Sequence, residues 1–388
     1  MLRSDFQLEK IIGIEYFITD TPGIGGVLRR RYEDFVVTEV PVEKAGWENG
    51  EYTYFTLEKM GWDTIKAVSA LSKTLGVSKK RFGFAGTKDR RALTRQRMAV
   101  WNIDIEKLRS IKIKDMRLYD FKKSYERITL GDLLGNEFLI TVRDPELGSE
   151  EVIEECKGQL SKRGIPNYFG YQRFGVVRPN THVVGKMLLK DDIKGAVLSY
   201  LGDFYEEEQE DAKAARKELK ESMDFKEALK TFPKRLGYER TMLDYLYKNP
   251  TDFAGALRKL HKKLRQMFVH GYQSYIFNHI LSRMIENEID IKEAEIPLFG
   301  YNSSFSKGPQ GDMEREVLDE EGMTLPDFRV NSLPELSLKG AKRKARVETK
   351  IIHGPLEDGS HRFKFFLPKG SYATTIMRDF MKTEPMRY

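Results

Sequence analysis

Along the N-terminal third of the chain, apolar positions recur first at a spacing of two and then at helical spacing. Phe35 to Val40 (FVVTEV) and Glu51 to Lys59 (EYTYFTLEK) carry β-branched and aromatic residues in partial alternation, which predicts two strands. A helix follows: Asp63 or Thr64 caps it, Ile65, Val68, Leu71 and Leu75 share a face, and Gly76 ends it in a left-handed conformation. A second helix is predicted from Val152 to Arg163, with Val152, Cys156 and Leu160 on one face and Gly164 closing it. That placement makes Cys156 a core residue, not a nucleophile.

The chain changes character from Gly202 to about Lys263, where Lys and Glu dominate and apolar positions fall at helical spacing. Most of this segment reads as solvated helix surface. Gly300 to Asp312 (GYNSSFSKGPQGD) gathers loop formers and predicts irregular structure. The end returns to regular elements. RFKFFL predicts a strand, LPKG a turn, and SYATTIMRDFMK a helix with Ala373, Ile376, Met377 and Phe380 on one face. No internal repeat is evident.

With 388 residues the chain has surface enough for two or three domains. No apolar run approaches the roughly 18 to 20 residues of a membrane span, and MLRSDFQLEK lacks the hydrophobic region of a secretory signal. One cysteine cannot form an internal disulfide or a cysteine-based zinc site, which fits a reducing, cytoplasmic setting. The net charge of +7 permits a polyanionic partner, but its distribution says more. Basic residues cluster at Arg29 to Arg31, Lys79 to Arg97 and Lys339 to Arg346, while acid concentrates from Tyr205 to Asp211. Each basic run alone reads as a solvated face; three together favour nucleic acid.

The densest chemistry lies in FAGTKDRRALTRQ, Phe84 to Gln96, where Asp89 sits among Lys88, Arg90, Arg91 and Arg95. From Lys79 to Arg97 there are eight cations and one anion. This field is expected to keep Asp89 ionised and to attract a phosphate backbone. Without its context, Lys88-Asp89 reads as a surface ion pair of little consequence. Other chemistries find no support. The six histidines show neither an HExxH pattern nor a Cys partner, so no metal site is expected. Lys88 is followed by Asp89 where a Walker A loop needs Ser or Thr, GIGG at Gly23 to Gly26 reads as a flexible turn, and no GxSxG elbow occurs. There remains a carboxylate in a cationic setting, with Gly83, Ala85 and Gly86 allowing close approach of a backbone or a ribose. It suits a nucleophile or a base acting at a sugar. Glycoside hydrolysis would need a second carboxylate about 5 to 10 Å away, which the sequence does not identify. Phe35, Phe138, Tyr168, Phe169, Tyr171 and Phe174 lie in neighbouring motifs, where aromatic residues are more often core than base platforms.

FAGTKDRRALTRQ, NYFGYQRFG (Asn167 to Gly175), GNEFLITVRD (Gly135 to Asp144) and LPKGSYATTIMRD (Leu367 to Asp379) together resemble the TruD family of tRNA pseudouridine synthases, in family order. EDFVVTE (Glu33 to Glu39) and YIFN (Tyr275 to Asn278) extend the resemblance over nearly the whole chain. It implies an α+β fold: a pseudouridine synthase core, with a mixed, mostly antiparallel sheet and flanking helices, interrupted by a large inserted α/β TRUD domain. The edges are expected near Ile165 and Lys350, giving a catalytic domain of residues 1–165 and 350–388 and an insertion of 166–349.

The resemblance further implies an RNA isomerase that converts uridine to pseudouridine in tRNA, uridine 13 being the first target to try, with no external cofactor and no metal. Asp89 matches the family's catalytic aspartate, as nucleophile or base. Arg29 is expected to pair with it through both prongs of the guanidinium, with Lys88 in support. Phe138 corresponds to the aromatic residue that stacks on the target base, Asn136 to its polar neighbour, and Phe35 to a pocket residue. Arg90, Arg91, Arg95, Lys342, Arg343 and Lys344 are candidates for RNA contact. Tyr32 stands where the family segment usually has Pro. NYFGYQRFG reads equally as a structural hinge or an RNA contact. The target nucleotide must be flipped from its stack, at a cost of a few kcal/mol. The competing readings are an RNA-binding or RNA-folding protein with an idle site, and a nucleoside hydrolase that would release free base.

Overall fold

The computed structural model describes residues 1–43, 50–146 and 149–388. The chain divides into two units, one of residues 1–20 with 162–346 and the other of 21–161 with 347–388. The first twenty residues group with residues 162–346, not with residues 21–161.

In the second unit the strands are β1 (Gly25–Val27), β2 (Phe35–Pro41), β3 (Tyr52–Met60), β4 (Phe82–Phe84), β5 (Leu93–Trp101), β6 (Met116–Ser124), β7 (Leu133–Pro145), β8 (Ile352–Pro355) and β9 (His361–Pro368). They form one sheet in the order β8-β9-β7-β2-β5-β3-β6, with β1 on β7 and β4 on β5. The neighbouring strands are antiparallel except β2 and β5, which run parallel at the centre of the sheet. Period-two alternation along β9 buries His361, Phe363, Phe365 and Leu367 and leaves the residues between them facing outward.

Helices pack on this sheet. Helix α1 (Thr64–Leu75) starts where Asp63 Oδ1 accepts the Lys66 amide at 2.8 Å and stops at Gly76, whose φ of 65° needs no Cβ. Its buried residues are Thr64, Ala67, Val68, Leu71 and Ser72, packed on Phe55, Leu57, Met98 and Val100. Ile65 departs from the expected face and is exposed, because the buried stripe begins at Thr64 and one residue turns the helix by about 100°. A fully buried Leu71 or Phe55 contributes about 1.5–3 kcal/mol. Helix α2 (Ser149–Arg163) buries Ile153, Cys156 and Leu160 and ends at Gly164, with φ of 91°. Cys156 is indeed core. Helix α3 (Ala373–Met381) buries every residue and sets Phe380 5.0 Å from Phe363 of β9.

The first unit is mainly helical. Its longest helix, Lys262–Glu286, buries Phe268, Tyr272, Ile276, Phe277 and Ile280, and the helix Thr181–Leu189 approaches it through Gly185. A Cβ there would lie 2.1 Å from the Phe268 carbonyl oxygen, so only glycine fits. The charged middle is helical as expected, but it is not all solvated surface. Arg216 is buried, held by Glu208, Glu239 and the carbonyls of Tyr200 and Leu201. The segment read as a loop to Asp312 is irregular only as far as Lys307. Gly308–Glu320 is a helix, because Pro309 suits a first turn and Glu314 reaches back to the amide and hydroxyl of Ser306. Among the described residues no helix is long and apolar enough to cross a membrane.

Candidate active site

The loop between β4 and β5 carries Asp89; three neighbouring elements pin its backbone, and a fourth holds the Lys88 side chain. From α1, Thr64 Oγ1 accepts the Lys88 amide at 2.9 Å and donates to Gln96 Oε1 of β5. Gln96 in turn donates to the Gly86 carbonyl at 3.1 Å. From β3, Lys59 Nζ donates to the carbonyls of Asp89, Lys88 and Trp62 at 3.1, 3.4 and 2.6 Å. From β2, Glu39 receives the Lys88 ammonium at 2.5 Å and the Arg97 amide at 3.2 Å. The loop is rigidly supported, yet the Asp89 side chain is 49% exposed.

Arg29 reaches this carboxylate from the turn after β1. Its Nη2 donates to Asp89 Oδ2 at 2.9 Å, a single contact where a two-pronged pairing was expected. Its guanidinium lies 4.0 Å from the Phe35 ring centroid, an arrangement lysine could not reproduce with a planar cation. The Arg29 side chain is 11% exposed, and burial pulls its pKa below the ordinary value while Asp89 opposes that shift. The Arg29 φ of 59° lies in the left-handed region, a strained conformation costing of order 1 kcal/mol for a side chain with a Cβ. Its Nε is buried with no hydrogen-bond partner among the described residues. Despite Tyr32 in place of proline, residues Tyr32–Asp34 still form a 3-10 turn. Asp34 holds it, accepting the Arg31 amide at 2.8 Å and two nitrogens of Arg143 at 2.6 and 2.9 Å.

Strand pairing assembles the aromatic part. Val37 of β2 and Phe365 of β9 flank Phe138 of β7 in register, and Glu39 and Leu367 flank Asn136. Phe138 lies edge-on to Phe35 at 6.1 Å and stacks with Phe365 at 5.7 Å, leaving it 8% exposed. Gly135 permits this register. A Cβ on it would meet the Leu367 carbonyl at 2.0 Å. The Asn136 Oδ1 is buried and finds no hydrogen-bond partner among the described residues. Such an acceptor costs about 1–3 kcal/mol if nothing satisfies it.

Asp89, Arg29, Phe35, Phe138 and Asn136 therefore belong to one unit. Lys88 is adjacent in sequence, but its ammonium is committed to buried Glu39 rather than to Asp89. Among the basic candidates, Arg91 is exposed, Arg90 donates to the Gly61 carbonyl at 3.2 Å, and Arg95 pairs with Glu58 at 2.7 Å. Lys342, Arg343 and Lys344 lie in the other unit. The two lysines are exposed there, whereas Arg343 binds the Asn167 carbonyl and side chain and lies 4.1 Å over Phe169. The aromatics of NYFGYQRFG are core: Tyr168, Tyr171 and Phe174 are at most 1% exposed.

Sequence reasoning missed Lys59, Glu39 and Phe365. The signal was periodic: Lys59 shares a strand face with Leu57 and Phe55, and Glu39 with Phe35 and Val37, so each places a charge on an apolar face. Phe365 lay in a strand that was read correctly, but its partner across the sheet was not visible.

Comparison with known proteins identifies the family. The family model for tRNA pseudouridine synthase D (TruD) matches residues 11–296 and 294–380. A Methanosarcina barkeri protein named "Probable tRNA pseudouridine synthase D" is 40% identical over 433 aligned positions, covering 98% of this chain and 99% of its own. The Methanocaldococcus jannaschii protein named "Probable tRNA pseudouridine synthase D 1" is 37% identical and covers 96% of this chain and 99% of its own. A crystal structure titled "Putative tRNA pseudouridine synthase D (TruD) from Methanosarcina mazei" superposes with a TM-score of 0.84 at 39% identity, covering 98% of this chain and 99% of that one. With the family model spanning most of its length and relatives near 40% identity along all of it, this chain belongs to the TruD family of pseudouridine synthases.

Proposed function

We propose that this pseudouridine synthase isomerises uridine to pseudouridine in tRNA, with Asp89 as the acid group at the ribose and uridine 13 as its target. The reaction breaks the bond from ribose C1′ to base N1 and joins C1′ to C5 of the turned base, with loss of the C5 proton. Asp89 serves either by attacking C1′ or by taking the 2′ proton; both routes need a carboxylate that a nucleotide can reach. One observation carries the reading: the 49% exposed Asp89 side chain, paired with Arg29, sits on a loop whose backbone is held from three sides. The family membership and the tRNA synthase names of the relatives support tRNA as substrate.

Within this site Phe138 is the stacking platform for the everted base. Stacking returns about 1–3 kcal/mol of the unstacking cost. The unsatisfied Asn136 Oδ1 accepts from the base or its ribose, and Arg91, Lys342 and Lys344 contact phosphates. The units of residues 21–161 with 347–388 and of 1–20 with 162–346 serve as the catalytic and TRUD domains. The test is to incubate the enzyme with tRNA carrying uridine or cytidine at position 13 and to map pseudouridine. Modification at position 13 of the first tRNA alone supports the target, and modification elsewhere with position 13 untouched overturns it.

A further inference from the structure

Lys59 is 1% exposed, and among the described residues its hydrogen-bond partners include no carboxylate. An ammonium has three donors, and here all three find carbonyl oxygens: Trp62, Lys88 and Asp89. Two of these belong to consecutive peptides of the loop. A methionine would fill the same volume without the desolvation cost of a buried cation, so packing alone does not account for a lysine.

We propose that Lys59 is a positioning residue for the reaction, holding the Lys88 and Asp89 carbonyls inward so that the Asp89 carboxylate is presented to the ribose. This rests on the reading of Asp89 given above. A trans peptide points its N–H opposite its C=O, so turning these carbonyls toward the ammonium turns the amides of Asp89 and Arg90 away from it. Those two amides have no acceptor among the described residues. Successive free N–H groups beside a catalytic carboxylate make a donor pair for a ribose hydroxyl or a phosphate oxygen. Lys59 thus sets both the acid group and the donors around it.

The charged groups around Lys59 are Asp63 at the start of α1, Lys88 and Asp89 on the loop, and Glu33, Glu58, Asp115 and Arg117 on the surface depression it shares. Burial pushes its pKa down to about 8, against the pull of Asp89 and Asp63. A neutral amine has one donor fewer than the three carbonyls require, so the clamp weakens as pH rises through that value.

The test compares wild type, Lys59→Met and Asp89→Asn by thermal melting, tRNA affinity and single-turnover tritium release between pH 6 and pH 9.5. The expected result for Lys59→Met is a folded protein that binds tRNA within about threefold of wild type but reacts at least about tenfold slower at pH 7, with no alkaline decline near pH 8. Wild type is expected to show that decline in rate and not in affinity. An unchanged rate in folded Lys59→Met overturns the proposal. If Lys59→Met does not fold, the wild-type profile decides: a decline near pH 8 supports the clamp, and a flat rate to pH 9.5 overturns it. Full activity in Asp89→Asn would instead remove the reading of Asp89, whatever Lys59 does.

Discussion

The Lys88 ammonium lies 2.5 Å from the Glu39 carboxylate, with both side chains almost wholly buried, while the next residue, Asp89, faces solvent. Two adjacent charges in one motif thus do different work. Lys88 ties the loop to the central strand, and Asp89 is left to Arg29 and to solvent.

Removing one member of the buried pair is expected to unfold rather than to tune. Lys88→Met strands Glu39 and should cost about 3–5 kcal/mol, read as a lowered denaturation midpoint, and Glu39→Met should cost a similar amount. The double variant should lose much less than the sum. Additive losses would show that the two charges act separately.

For Arg29, Arg29→Lys keeps the positive charge but gives up the planar stack on Phe35. Its single-turnover rate should fall about tenfold, and that of Arg29→Ala about a hundredfold, with tRNA affinity changed less than threefold in both. Equal rates in wild type and Arg29→Ala would remove Arg29 from the site.

Phe138 is packed between Phe35 and Phe365, so Phe138→Ala mixes a lost base platform with a cavity costing about 3–5 kcal/mol. Phe138→Leu separates them. It should stay folded, bind tRNA nearly as wild type does and turn over about tenfold slower, since an aliphatic side chain packs but does not stack. A leucine variant with the wild-type single-turnover rate would leave Phe138 a core residue only.

The basic strand at Ala341–Lys344 divides by burial. Replacing exposed Lys342 and Lys344 with alanine should lower the salt dependence of tRNA binding by about one to two units of log–log slope without changing the melting temperature. Arg343→Ala should do the reverse, because its guanidinium holds Asn167 and covers Phe169. An unaltered slope in the double lysine variant would move RNA away from this strand.

A pH effect on stability follows from His182. Burial pushes its pKa down to about 4, with Glu321 opposing, and its ring stacks on Tyr275 at 4.7 Å. The unfolded chain takes up a proton near pH 6.5 that the folded chain refuses until about pH 4. Stability is therefore lost as pH falls through that window, by an amount on the order of 3 kcal/mol. His182→Phe should flatten the dependence of melting temperature on pH between 7 and 4, and an identical slope in the variant would show that other groups carry it.

What the sequence disclosed depended on how locally each feature is determined. The limits of α1 were legible because Asp63 and Gly76 act within one turn of the helix they bound. The cations around Asp89 marked it, but its role came through the resemblance. The Arg29 contact spans 60 residues and came only through family resemblance, and Phe365 gained meaning once β9 was set beside β7. Ile65 was misplaced because a helical stripe two residues wide has two possible edges, and only the sheet beneath chooses between them. Lys59 and Glu39 were passed over as ordinary charges, although their strand faces marked them as inward.

The central claim is that Asp89 performs the chemistry, and release of tritium from C5-labelled uridine in tRNA tests it most directly. The account predicts stoichiometric release by wild type and none measurable from Asp89→Asn, which should still bind tRNA and melt as wild type does. Release at the wild-type rate from Asp89→Asn, or none from wild type on any tRNA, would contradict it.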